Sequence, residues 1–300
     1  MVVDKSQENK NIKEIQQMNF NRNQNKPVVA LLGAGSMGCA IVKRIGANKT
    51  ILLGDISEKN LEERAKELRM SGYSVETQKV DACDASSVDT FAQKAASLGP
   101  VKYFIDTAGA SPNQASPEQI IRLDLIGTAI AIDAFSKVIA ENGAGLIISS
   151  QTGYMMHLSP EIEKQLAMTP TGELAELEFL KNDPVVNPGA AYIVSKRANH
   201  LRVRTAAATS WGDARARINT ISPGVIVTPL AYDEFNAAGD TYQQMIDASP
   251  ARRVGTSEEI AAAGAFLLSD EAAFITGTDL LIDGGVIAAI ESGRYTLSIR

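Results

Sequence analysis

Blocks of apolar residues recur along this chain, separated by stretches whose apolar positions return every three or four residues. Continuous apolar runs of strand length stand at 27–32, 50–54, 101–105 and 145–150, and further strands fit 74–80, 217–221 and 279–282. Runs that are apolar on both faces suit a parallel sheet covered on both sides. Helical periodicity fills the intervals, at 39–45, 61–71, 84–94, 116–140, 190–209 and 258–268. Strand and helix therefore alternate. The pattern predicts the α/β class: a single doubly wound domain of about seven mostly parallel strands with helices on both faces.

The ends break the pattern. Residues 1–26 are rich in Asn, Gln and Lys with few large apolar side chains, and predict a flexible extension too polar to offset its ordering entropy. A short helix over 11–20 is the competing reading. The domain is expected over 27–290, with 291–300 as a modest tail. A hydrophobic content of 45 % and a charged content of 21 % describe an ordinary globular chain. The net charge of −6 and scattered basic residues argue against nucleic acid. No apolar run approaches bilayer length and no signal-peptide core precedes the first strand, so a cytoplasmic location without membrane contact is expected. Cys39 and Cys83 have no metal-ligand spacing, and no metal is expected.

Candidate chemistry begins where the first strand flows into Gly33-Ala34-Gly35-Ser36-Met37-Gly38 and then a helix. Glycines there allow a tight turn, close approach of a pyrophosphate and close helix packing, while the first N–H groups of the helix face the anion. With strand before and helix after, the spacing has the context that a Rossmann dinucleotide site needs. Asp55 ends the second strand at the distance expected of a ribose-binding acid. It would accept the adenosine-ribose hydroxyls and repel a 2′-phosphate. No Arg or Lys follows at once in Ile56-Ser57-Glu58, so NAD is expected in preference to NADP. The other reading of Asp55 is a cap for the helix that starts near Ser57.

A second cluster lies in Tyr192-Ile193-Val194-Ser195-Lys196. On a helix over 190–209, Tyr192 and Lys196 are one turn apart on one face. An ammonium that close favours the tyrosinate and draws a phenol down from its ordinary pKa of about 10. Such a phenol can exchange a proton with an alcohol oxygen, and the hydroxyl of Ser150 could hold that oxygen. The bland reading is an amphipathic helix carrying Tyr and Lys four apart. Taken in order with the glycine loop, Ser149-Ser150-Gln151-Thr152-Gly153 and Ser222-Pro223-Gly224, the segment resembles the short-chain dehydrogenase/reductase family from about 28 to 286.

That resemblance implies Ser150, Tyr192 and Lys196 as the catalytic set, with Lys196 also gripping the nicotinamide ribose. It places Ile56 beside Asp55, the Asp81-Ala82 pair at the adenine edge, and Thr107-Ala108-Gly109 along the cofactor. Pro223, Gly224, Ile226 and Thr228 would meet the nicotinamide end. It implies a homodimer or homotetramer acting on a small-molecule alcohol or ketone.

Four departures stand out. The glycine loop is one residue shorter than the family's TGxxxGxG, with Leu32 where threonine is usual. Asp106 and Asp124 stand where the family has asparagine; for Asp106 this removes an amide donor. Residues 154–188 form an insertion between Ser150 and Tyr192, expected to be a substrate lid, with a surface helical hairpin as the alternative. Gln151, just after Ser150, and Met155 and Met156 of the insertion are candidate substrate contacts, with Leu230 that of a second lid over 228–250. The expected reaction is hydride transfer between NAD(H) and a secondary alcohol or ketone, bulky or hydroxysteroid-like. An NAD-using isomerase or dehydratase, a non-catalytic NAD sensor and a methyltransferase are the alternatives.

Overall fold

The computed structural model describes residues 26–296 except 114, 182–184, 186 and 229–239. Leu230, most of the N-terminal extension and the middle of the second lid lie outside the described residues. The strands are β1 (Val28–Leu32), β2 (Thr50–Asp55), β3 (Ser74–Lys79), β4 (Val101–Asp106), β5 (Ile139–Ile148), β6 (Arg217–Pro223), β7 (Ile226–Val227), β8 (Gly255–Thr256) and β9 (Asp279–Ile282). Seven of them form one sheet in the order β3-β2-β1-β4-β5-β6-β9, while β7 and β8 pair with each other. All the pairings among the described residues are parallel. The order reverses between β1 and β4, which opens a crevice at their carboxyl ends.

The helices that follow the sheet are α1 (Ser36–Ile45), α2 (Glu58–Met70), α3 (Ala85–Leu98), α4 (Pro117–Ile120) and α5 (Thr128–Ser136). Then come α6 (Pro160–Met168), α7 (Glu178–Lys181), α8 (Pro188–Ala208), α9 (Ser210–Asp213), α10 (Asp240–Ala248), α11 (Ser257–Leu268) and α12 (Val286–Glu291). Successive residues of a strand point to opposite faces, and both faces are covered here. Val29 and Leu31 of β1 join a core with α1, α2 and α11, whereas Val28, Ala30 and Leu32 join another with α3, α5 and α9. In the second core Phe104 stacks on Phe135, and Trp211 fits over Gly145, where a Cβ would lie 2.6 Å from the indole.

Several boundaries differ from the pattern read along the chain. The helix expected over 116–140 ends at Ser136 and changes register in a π-helical segment, Ile121–Gly127. Ile139 instead begins β5 opposite Val101, because a short apolar run serves a strand as well as a helix. Ser149 and Ser150 lie just past that strand, and Ser150 opens a 3₁₀ turn, Gln151–Tyr154. The third helix runs on to Leu98, with Asp84 as its N-cap. Within the insertion, the stretch 173–180 is built of the 3₁₀ turn Thr171–Glu176 followed by α7.

The insertion has its own apolar core. Leu166, Leu174 and Val185 pack with Leu125, Ala129, Val194 and Ala198 of the π segment, α5 and α8. Arg202 of α8 donates to the carbonyls of Leu166 and Thr169 at the end of α6, and to Thr171. Arg197 pairs with Glu163 on α6. Two arginines of α8 therefore clasp the inserted helix from below.

Candidate active site

The glycine loop shows one job per glycine. Gly33 has φ +82°, and a Cβ there would sit 2.5 Å from the Ala108 nitrogen, so the loop lies against the end of β4. A Cβ on Gly38 would strike Leu31 and the Thr107 hydroxyl. At Gly35, by contrast, nothing stands within 4 Å of that position. Gly35 is also the N-cap of α1 and supplies no side chain to its first N–H groups. Open space in front of unpartnered helix donors is what a pyrophosphate needs. Ser36 and Met37 are half-buried at the same mouth.

Asp55 is built into this loop. Its Oδ2 accepts from the Ala34 N–H and from the Asn60 amide, each at 2.9 Å, and its Oδ1 accepts from the Ser57 N–H. Ser57, not Asp55, caps α2. Asn60 also donates to the Ala34 carbonyl. The acid thus braces the glycine loop, and the half-exposed carboxylate keeps lone pairs for ribose hydroxyls. Ile56 beside it is 62 % exposed, an apolar surface with no core of its own. Sequence reading missed Asn60, although an amide one turn into α2 behind a strand-end acid was visible.

Asp81 Oδ1 accepts from the Cys83 N–H, and Ala82 is buried against Gly127. The Thr107 hydroxyl donates to the Gly33 carbonyl, fastening β4 to the loop. Asp106 is buried and accepts from the Ala108 N–H. Burial pushes its carboxyl up to about 7 against the pull of that hydrogen bond and of Lys196. Below that pH the acid carries a proton and can donate, as an amide does. Burial likewise pushes the Cys39 thiol up to about 11, which makes it inert packing.

On the other side of the cleft, the turn after Ser150 is pressed onto α8. A Cβ at Gly153 would meet the Arg197 nitrogen and the Lys196 carbonyl carbon at 3.1 Å. The Ser149 hydroxyl donates to the Lys196 carbonyl at 2.9 Å. These contacts bring Ser150, itself nearly buried, to the level of Lys196 on α8. Tyr192 lies one turn back, with the Lys196 ammonium 5.1 Å from its ring centroid.

Lys196 is 4 % exposed, and its nearest counter-charge is Asp124. Asp124 Oδ1 stands 2.8 Å from the ammonium, as an ion pair off the hydrogen-bond axis, while Oδ2 accepts from the Ala110 N–H. Burial works against the charge on Lys196, but Asp124, with Tyr192 and Asp106, outweighs it and holds the ammonium above the usual lysine range. Gly109 lines this pair: a Cβ there would come within 2.8 Å of Asp124 Oδ1.

Gln151 is buried beside Gly224, and its Oε1 has no hydrogen-bond partner among the described residues. Gly224 is held to β9 by its N–H to Ile282, and Ile226 pairs with Gly255. Pro223 ends β6, and Thr228 is half-buried at the same edge. Behind this turn lies a network that sequence reading did not find. Tyr154 and Ser222 both donate to Asp279, and His200 Nε2 meets the Ser222 hydroxyl at 2.7 Å. Burial pushes His200 down to about 4, so its ring is neutral. Met155 and Met156 are half-buried, and Met156 shares an apolar cluster with Tyr192; His157 is exposed.

Open room at Gly35, an orphaned Gln151 oxygen beside Gly224 and a braced strand-end acid all fit a dinucleotide. This chain belongs to the short-chain dehydrogenase/reductase family and is an alcohol dehydrogenase/reductase of that family. A family model described as enoyl-(acyl carrier protein) reductase matches residues 33–287. The short-chain dehydrogenase/reductase bsc3 of Alternaria brassicicola is 38 % identical over 263 residues, covering 87 % of this chain and 95 % of that protein. The NADP-dependent mannitol dehydrogenase of Hypocrea jecorina is 28 % identical over 268 residues, 86 % of each chain, and a relative named as NADH-dependent is 26 % identical. A solved short-chain dehydrogenase/reductase from Serratia marcescens shares the fold, with a TM-score of 0.68 over 88 % of this chain and 99 % of its own at 22 % identity. No described helix is long and apolar enough to cross a membrane.

Proposed function

We propose that the protein interconverts a secondary alcohol and a ketone with NAD(H), using Ser150, Tyr192 and Lys196. The observation that carries this reading is the buried Lys196 ammonium beside the Tyr192 ring, on a helix tied to the strand end that bears Ser150. When bound, the nicotinamide supplies and accepts the hydride. The residues do the rest. Tyr192 takes the proton from the alcohol oxygen during oxidation and returns it to the ketone oxygen during reduction. Lys196 makes that phenol more acidic through its field and reaches the nicotinamide ribose. The Ser150 hydroxyl donates to the substrate oxygen while charge builds on it.

Gly35 and the start of α1 hold the pyrophosphate, and Asp55 takes the adenosine ribose. A 2′-phosphate would stand against the Asp55 carboxylate with no cation from Ile56 or Ser57 to offset it, which favours NAD. Gln151 accepts from the carboxamide side of the nicotinamide, beside Gly224, Ile226 and Thr228. Met155 and Met156 give the substrate end an adaptable apolar wall, suited to a bulky alicyclic alcohol. Relatives differ in which nicotinamide cofactor they use, so Asp55 alone carries the preference. A homodimer or homotetramer is proposed from the family alone.

Fluorescence titration with NADH and NADPH, followed by addition of a ketone series, tests the reading. Tight NADH binding, weak NADPH binding and loss of reduced cofactor with a bulky ketone are expected. NADH binding with no NADH consumed by any ketone and none formed from NAD with any alcohol would point to an isomerase that returns its hydride. Preference for NADPH would remove the role given to Asp55.

A further inference from the structure

Among the described residues, the charged side chain paired with Lys196 has no part in the reaction proposed above. Asp124 sits in the middle of the π-helical segment, fully buried, with its carboxylate against Lys196. One oxygen is fixed by the Ala110 N–H, immediately after the Thr107-Ala108-Gly109 wall, and the other faces the ammonium at 2.8 Å. The same ammonium is 5.1 Å from the Tyr192 ring centroid. Gly109 leaves space for this pair, since a Cβ there would lie 2.8 Å from Asp124 Oδ1 and 3.4 Å from Lys196 Nζ. π-helical turns inside helices are frequent at functional positions.

We infer that Asp124 is a positioning residue for the proposed reaction: it pins the Lys196 ammonium in the cleft wall and withholds part of its field from the Tyr192 phenol. The inference rests on the catalytic roles proposed above. A buried ammonium paired with a carboxylate is close to a neutral unit, so it stabilises a phenolate less than an unpaired ammonium would. Other titratable groups share the field. Asp106 faces Lys196 from the end of β4, and His200 lies one turn further along α8. Cys83, after β3, also feels Asp124. His200 is neutral near pH 7, and Asp106 is at its midpoint there. Asp124 is therefore the nearest negative charge competing for the ammonium.

Ultraviolet difference titration reads the Tyr192 phenol directly, by subtracting the Tyr192→Phe protein at each pH. In Asp124→Asn the Tyr192 step is expected about one pH unit lower than in the unaltered protein. The acid limb of kcat/KM for alcohol oxidation moves down with it, and circular dichroism shows the fold intact. Gly109→Ala, which pushes a methyl between the partners, is expected to move the step the same way by a smaller amount, and provides the reading if Asp124→Asn does not fold. A Tyr192 step that stays in place in every folded variant overturns the inference. A step that moves in a protein that turns over no alcohol or ketone overturns the proposed function and leaves the Asp124 pairing standing.

Discussion

The two walls of the cleft are made of different materials. The glycine-loop wall, from β1 to β4, is largely backbone: Gly33 against Ala108, Gly38 against Thr107, and empty space at Gly35. Its one essential charge, Asp55, is half-exposed and satisfied by two backbone N–H groups and Asn60. The wall built by α8 and the π segment instead buries charge, Lys196 and Asp124, and Asp106 at the end of β4 faces it; each is less than 5 % exposed. Backbone and space can hold a ligand with little field, whereas moving a proton requires charges kept out of water, where they act over several ångströms. The proposed function gives binding to one wall and the proton to the other.

Substitutions on the two walls are expected to fail in different ways. Tyr192→Phe removes the proposed proton carrier and nothing from the glycine loop. Turnover is expected to fall by about 10³-fold or more, with the NADH dissociation constant changed by less than about threefold. Gly35→Val does the reverse. A Cβ in that open space has nothing within 4 Å beyond its own chain neighbours, so the melting temperature is expected to change little, while the NADH dissociation constant rises about 100-fold. If Gly35→Val melted far earlier but bound NADH normally, the space at Gly35 would not be the pyrophosphate site.

The binding wall was largely legible in the sequence. Gly33 to Gly38, with a strand before and a helix after, fix the turn chemistry, and such constraints are local. Asp55 was legible for the same reason. The proton-moving wall was less so, because its pairings join residues far apart in the chain. Tyr192 and Lys196 are one turn apart and were readable, but Asp124 meets Lys196 only after a π turn that no periodicity announces. Tyr154, Ser222, His200 and Asp279 come from four elements, and their network cannot be read from any one of them. Asp106 was recognised as a lost amide, yet its capacity to hold a proton depends on burial, which sequence does not print.

Asp106 gives the contrast a stability measurement. Its carboxyl titrates at about 7 in the folded chain and near 3.9 when unfolded. Between those values the folded state holds a proton that the unfolded state has lost, so stability declines as pH rises through that window. Asp106→Asn has no such proton and should escape the decline. Relative to the unaltered protein it should gain about 2–3 kcal/mol between pH 5 and pH 8 in urea melts. His200 contributes with the opposite sign, since burial lowers it and the unfolded chain binds its proton first. That contribution is common to both proteins and cancels in the difference. Parallel pH profiles for the two proteins would mean that Asp106 is ionised in the fold.

The smallest effects concern the insertion, where clamp and substrate wall can be separated. Arg202 satisfies two carbonyls and Thr171 beneath α6, so Arg202→Ala leaves those acceptors without their donor and should cost about 1–2 kcal/mol. It touches nothing near Tyr192, so KM for a bulky ketone should not change. Met156 is in the same apolar cluster as Tyr192 and only half-buried. Met156→Ala should therefore leave the melting temperature almost unmoved and raise KM for a bulky ketone about fivefold, equivalent to about 1 kcal/mol of lost apolar contact. Small ketones, which would not reach that side chain, should show no such penalty. If Arg202→Ala shifted KM as strongly as Met156→Ala, the clasp on α8 and the substrate wall would be one mechanical unit. If neither variant shifted KM, the inserted segment would brace the catalytic helix without forming any part of the substrate cavity.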